Sequence, residues 1–89
     1  MKKLTKKLLS EILKKDYFIS CFVEIIEQKE KNKFYIVYPY YMVIIWFNKE
    51  YGWNYSIFGE TGYVASKRFI KLIDSLEGAY TLNMDDESK

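Results

Sequence analysis

Residues 34–58 read FYIVYPYYMVIIWFNKEYGWNYSIF, and the way this stretch divides decides the fold. Residues 34–38 are aromatic and β-branched, the types that suit a pleated, half-buried surface. Pro39 has no backbone N–H, so it marks an edge, a bulge or a corner. Residues 42–47 continue as extended structure, either the same bent strand or a new one, and their Val, Ile and aromatic content favours a strand over a short helix. Asn48, Lys49, Glu50, Tyr51 and Gly52 form the next turn, and residues 53–58 the next strand.

Moving back from this stretch, residues 28–33 contain no large apolar side chain and read as a hairpin loop. Before them the period is two. Tyr17, Ile19, Cys21, Val23 and Ile25 share one face, with Phe18, Ser20, Phe22, Glu24 and Ile26 on the other, which predicts a long strand with one fully buried side. Residues 3–15 change to a helical period: Leu4, Leu8 and Ile12 recur every four positions, and Leu9 and Leu13 widen the stripe. Moving forward, Gly59, Glu60, Thr61 and Gly62 close the sheet. Ala65, Phe69, Ile73 and Leu76 then follow helical spacing, with Gly78 where a helix-ending glycine belongs. Residues 79–84 alternate and read as a docked extended tail, and residues 85–89 as a disordered acidic end. The expected fold is α+β in the order α-β-β-β-α: an antiparallel three- or four-stranded meander with two helices packed on one face, in a single compact domain over residues 1–84.

The 89-residue length allows one small domain, and 49% apolar residues with 19% aromatic are enough to give it a core. The net charge of +2 is unevenly spread. Residues 1–15 carry six Lys against Glu11, and residues 74–89 carry five acids against Lys89. Charge at the two ends of a chain solubilises, and it can also face a partner.

The sequence holds no His and one Cys. Without His the commonest general base, the Ser-His triads and most zinc sites are gone. Cys21 has no internal disulfide partner, which fits a reducing compartment, and its place in the alternating run predicts a core-facing thiol. Glu24 and Glu27 read as solvent-facing charges, and nothing matches a phosphate-binding loop, a dinucleotide fingerprint or a calcium loop. The expectation is a protein that is not an enzyme and has no cofactor and no metal site. Glu11, Lys14, Lys15 and Asp16 interrupt any signal-peptide core, and the longest uncharged run, residues 34–48, is shorter than the roughly 20 residues a spanning helix needs. Hence the expected location is cytoplasmic, with no membrane.

Two features point to binding. One is the aromatic surplus. The two helices can cover one sheet face, and nothing in the chain covers the other, so exposed rings there become candidates for anchoring an interface or stacking bases. Tyr35, Tyr41, Trp53 and Tyr55 are the expected partner-contacting residues. A homodimer would seal the same face. The other feature is the run from Gly59 to Lys71. Two glycines precede a helix whose early turns carry Ser66, Lys67 and Arg68, followed by Lys71, and a helix start with free N–H groups and nearby cations attracts phosphate.

The α-β-β-β-α order, with Gly62 followed by Ser66, Lys67, Arg68, Phe69, Ile70 and Lys71, resembles the double-stranded RNA-binding domain. That family places a Lys-rich run at the start of its second helix, which contacts phosphates across the major groove. The resemblance implies that Lys67, Arg68 and Lys71 contact phosphate, and three such contacts imply a log–log salt slope of about −2.7 on duplex DNA. The run Leu8-Leu9-Ser10-Glu11-Ile12-Leu13-Lys14-Lys15-Asp16-Tyr17, together with Lys67-Arg68-Phe69-Ile70, is also similar to small phage anti-CRISPR proteins that inhibit type II-A nucleases. That likeness implies a phage or mobile-element protein that inhibits a host protein, such as a CRISPR effector, by direct binding. The leading expectation is therefore a non-enzymatic interaction module of this inhibitory kind; the alternative is a nucleic-acid module acting through the second helix.

Overall fold

The computed structural model describes residues 2–82; the acidic end expected to be disordered lies outside them. The elements are β1 (Lys2–Lys3), α1 (Lys6–Lys14), β2 (Glu24–Gln28), a single 3₁₀ turn (Lys29–Lys31), β3 (Lys33–Val37), β4 (Tyr41–Asn48), β5 (Gly52–Gly59), α2 (Tyr63–Leu76) and β6 (Tyr80–Thr81). Strands β2 to β5 form a four-stranded antiparallel meander in chain order. The fold is α+β, with both helices on one face.

The first helix begins later than its periodicity predicts. Lys2 and Lys3 are extended and pair in parallel with Tyr80 and Thr81. Leu4 N–H then donates to the Thr81 carbonyl at 2.7 Å, and Leu4 and Leu82 are both buried beneath the clasp. Thr5 caps α1, its hydroxyl accepting from Leu8 N–H at 3.1 Å, a contact worth about 1 kcal/mol. Leu9 and Leu13 are fully buried, with Leu8 and Ile12 packed partly against the same core.

The long strand expected over residues 17–26 is corrected: only its last three residues join β2, and residues 17–23 are turn and irregular chain. The Asp16 carboxylate accepts from Phe18 N–H at 3.0 Å, and Ser20 Oγ donates to the Tyr17 carbonyl at 3.1 Å. Such local hydrogen bonds satisfy the backbone in competition with a sheet ladder. Of the five residues assigned to one buried face, Ile19 and Ile25 are buried, whereas Tyr17, Cys21 and Val23 are exposed. Cys21 is therefore not a core residue.

The strand pairing explains which residues form the core. Ile25 pairs with Ile36, Ile36 with Val43 and Val43 with Ile57; one row over, Phe34 pairs with Ile45 and Ile45 with Tyr55. These side chains face α1 and α2 and form one cluster with Leu9, Leu13, Phe69, Leu72 and Leu76. The β3–β4 turn at Pro39 and Tyr40 closes against Gly59. There φ is +105°, and an added Cβ would meet the Tyr40 carbonyl oxygen at 2.7 Å, so only glycine fits. The Glu77 carboxylate, just past α2, accepts from Trp53 N–H and ties the outer strand β5 to the helix end.

Candidate functional site

Among the described residues, no element lies on the sheet's other face. Its register places Glu24, Val37, Met42 and Phe58 in one row, Ile26, Tyr35, Ile44 and Ser56 in the next, and Gln28, Lys33, Trp46 and Asn54 in the third. Ile26 is 40% and Phe58 53% exposed; Tyr35, Val37, Met42, Ile44 and Trp46 are partly exposed. On a bare sheet, neighbouring side chains stand ~5 Å apart and screen each other's flanks, so partial exposure is what an uncovered apolar face looks like. Contiguous apolar surface of this kind marks contact sites on soluble domains.

The face has a polar border. Lys33 stands at one end of β3 with its ammonium 5.8 Å from the Trp46 ring centre, and Gln28 lies across from it on β2. The Gln28 Oε1 is enclosed and, among the described residues, has no hydrogen-bond partner. Glu24 sits at the opposite end of β2, and Asn54 and Ser56 line the β5 side. Polar side chains at the margins of an apolar surface are a feature of protein interfaces.

The four rings expected to contact a partner divide between the two faces. Tyr35 lies on the open face. Tyr41, Trp53 and Tyr55 point to the helices, and their expected place on the open face is corrected. Trp53 is buried and donates its indole N–H to the Tyr80 carbonyl at 3.0 Å. Tyr41 stacks on Tyr38 with ring centres 4.5 Å apart, and both rings meet Phe69 edge-on. Tyr38 donates its hydroxyl to the Ile19 carbonyl at 2.7 Å, and burial, with Tyr41, Cys21 and Asp16 nearby, pushes its ionisation far above the usual phenol range. Burial raises Tyr41 in the same direction, with Cys21 adding to it.

Ile26, Met42, Ile44, Trp46 and Phe58 are not among the contacts expected from the sequence. The signal was present in β5, where Trp53, Tyr55 and Ile57 alternate with Asn54 and Ser56. That alternation turns 53, 55 and 57 inward and, through antiparallel pairing, leaves 42, 44 and 46 on the bare side.

The three cations of the second helix do not act as a set. Arg68 Nε donates to Asp16 Oδ2 at 2.7 Å, and its guanidinium lies over Phe18. Lys67 and Lys71 are exposed one turn apart, with the Lys67 ammonium 4.7 Å from the Tyr63 ring centre. The helix start at Gly62 has no side-chain cap. A shallow groove between α1 and β2 is bordered by Lys6, Lys7, Ser10, Phe22, Val23, Glu24 and Ile25, so it presents both signs of charge around apolar surface. Among the described residues no helix is long and apolar enough to cross a membrane. Comparison with known proteins finds no matching family model, no matching curated protein and no matching solved structure.

Proposed function

We propose that this chain is a non-enzymatic interaction module whose open sheet face is its protein-binding surface. The observation that carries the reading is the contiguous apolar patch of Ile26, Tyr35, Val37, Met42, Ile44, Trp46 and Phe58, which no element among the described residues covers. Tyr35 and Trp46 are the anchors, since large rings that keep a polar handle carry most of the energy in such contacts. In its narrower form the reading makes the chain an anti-defence protein that inhibits a host protein by occupancy, which is what the likeness to anti-CRISPR inhibitors implies.

The test is capture of partners by the tagged protein from a host lysate, with and without nuclease, for wild type and for Ile44→Lys. A partner retained after nuclease by wild type and lost by Ile44→Lys supports the reading. Equal capture by both proteins overturns it.

A second reading rests on Lys67 and Lys71, which are exposed one turn apart on α2. They suit phosphates of a duplex nucleic acid. With Arg68 held by Asp16, two contacts remain, and the salt slope expected on duplex DNA falls to about −1.8. Affinity that is independent of salt, or unchanged in Lys67→Glu with Lys71→Glu, removes this reading.

A further inference from the structure

We propose that the occupant of the open sheet face is a second copy of this chain, docked sheet to sheet about a two-fold axis; the inference rests on the reading of that face as an interaction site. Three observations favour a self-complementary partner. The first is area. Four strands at about 4.8 Å spacing, with ladders of roughly 17–27 Å, give a face of about 400 Å² in projection. The accessible area of a corrugated side-chain surface exceeds its projection, so two copies together approach the ~1,200 Å² lower end of stable interfaces.

The second is the placement of charge. The face has two ionised residues, Glu24 at one end of β2 and Lys33 at the opposite end of β3. They lie four residues apart along the strands, about 14 Å, too far to pair within one copy. A two-fold axis lying between the sheets and running across the strands reverses strand direction. It brings Glu24 of each copy to the Lys33 end of the other, twice over. An axis running along the strands would instead set Glu24 against Phe58, with no cation to meet it.

The third is polarity. The aligned packing of two twisted sheets buries the inner rows and leaves their ends at the rim. Here every charged or amide side chain of the face, Glu24, Gln28, Lys33 and Asn54, lies in an end row beside Val37, Met42, Phe58 and Trp46, and the middle row is Ile26, Tyr35, Ile44 and Ser56. The helices then lie on the outer sides of a four-layer assembly. A host protein taking the same face would compete with self-association.

The experiment is sedimentation equilibrium over a concentration series on wild type, E24K, K33E and an equimolar mixture of the two variants. Each single reversal places like charges at both contacts and should weaken the dimer by about tenfold or more. The mixture should recover dimer as a heterodimer, because one chain then carries two cations and the other two anions at the facing ends. Recovery in the mixture supports the proposal; failure to recover while both variants stay folded by circular dichroism overturns the arrangement. A monomeric wild type at high concentration overturns the second copy as occupant. In that case the interaction reading survives if Ile44→Lys still abolishes capture of a host protein. A wild-type dimer that Ile44→Lys leaves intact overturns both.

Discussion

The two faces of the one sheet are nearly equal in apolar content and opposite in fate. On one, Phe34, Ile36, Val43 and Ile45 are fully buried beneath the helices. On the other, Tyr35, Val37, Ile44 and Trp46 occupy the neighbouring positions and stay partly open. Adjacent residues of a strand point to opposite sides, so a step of one position separates a core residue from a surface one. Binary patterning cannot distinguish faces that are both apolar; the helices decide, by covering one of them.

The largest effect that can break this comparison comes from paired truncations. Phe34→Ala should cost about 3–5 kcal/mol of unfolding free energy, as for other fully buried rings. Tyr35→Ala, one residue on, should cost far less when the protein is dilute. Urea unfolding at low protein concentration measures both. Equal losses would mean that the faces are wrongly assigned.

Tyr38 sharpens the comparison on the covered side, because it joins the sheet to the irregular segment before β2. Tyr38→Phe leaves the Ile19 carbonyl without its donor and should cost about 1–2 kcal/mol. The pH dependence has a definite sign. The unfolded phenol ionises near its ordinary 10.0, whereas the folded one holds its proton well beyond that point. In that window the native state binds more protons, so the stabilisation is complete below pH 10 and is lost as pH rises above it. Tyr41 is shifted the same way and adds to the loss. Wild type should therefore destabilise in alkali from about pH 10, and Tyr38→Phe should show a shallower decline. An identical alkaline profile for the variant would place the responsible group elsewhere.

Much of the fold was legible because its signals are local. The Leu stripe of α1, the proline corner, the Asn48 turn and Gly78 after α2 all act within a few residues. What was hidden is non-local. The parallel pairing of Lys2 and Lys3 with Tyr80 and Thr81 joins the two ends of the described chain and shortens the first helix, and no window of sequence contains both partners. Residues 17–23 alternate as a strand would, yet the Asp16 and Ser20 side chains hold them in turns. At the candidate site Tyr35 was legible by parity. Trp53 and Tyr55 face the helices instead, because the alternation with Asn54 and Ser56, and not ring content, sets which side of β5 is covered.

A smaller effect tests how α2 is held to the chain before the sheet. Arg68 and Asp16 are joined by one hydrogen-bonded ion pair, with the arginine side chain 35% and the aspartate 17% exposed. Solvent screens a pair of that exposure, so Arg68→Ala should cost at most about 1 kcal/mol, and less in high salt. A loss as large as that of Phe34→Ala would make the pair part of the core.

The smallest effect on stability belongs to the open face, and it is the most informative. Ile44→Thr keeps a β-branched side chain suited to a strand and removes apolar surface that no helix covers. In a dilute monomer the change should lie within about 0.5 kcal/mol, as for other surface positions. At high concentration the same substitution should cost more, because anything that binds only the folded chain adds stability by mass action. The separation between the two conditions reads the occupancy of the face directly. For Phe34→Ala that separation should be absent, since its losses arise inside one copy. A concentration-independent loss at Ile44 as large as that at Phe34 would show that the two faces are not the opposites they look, and that the bare one is packed from within.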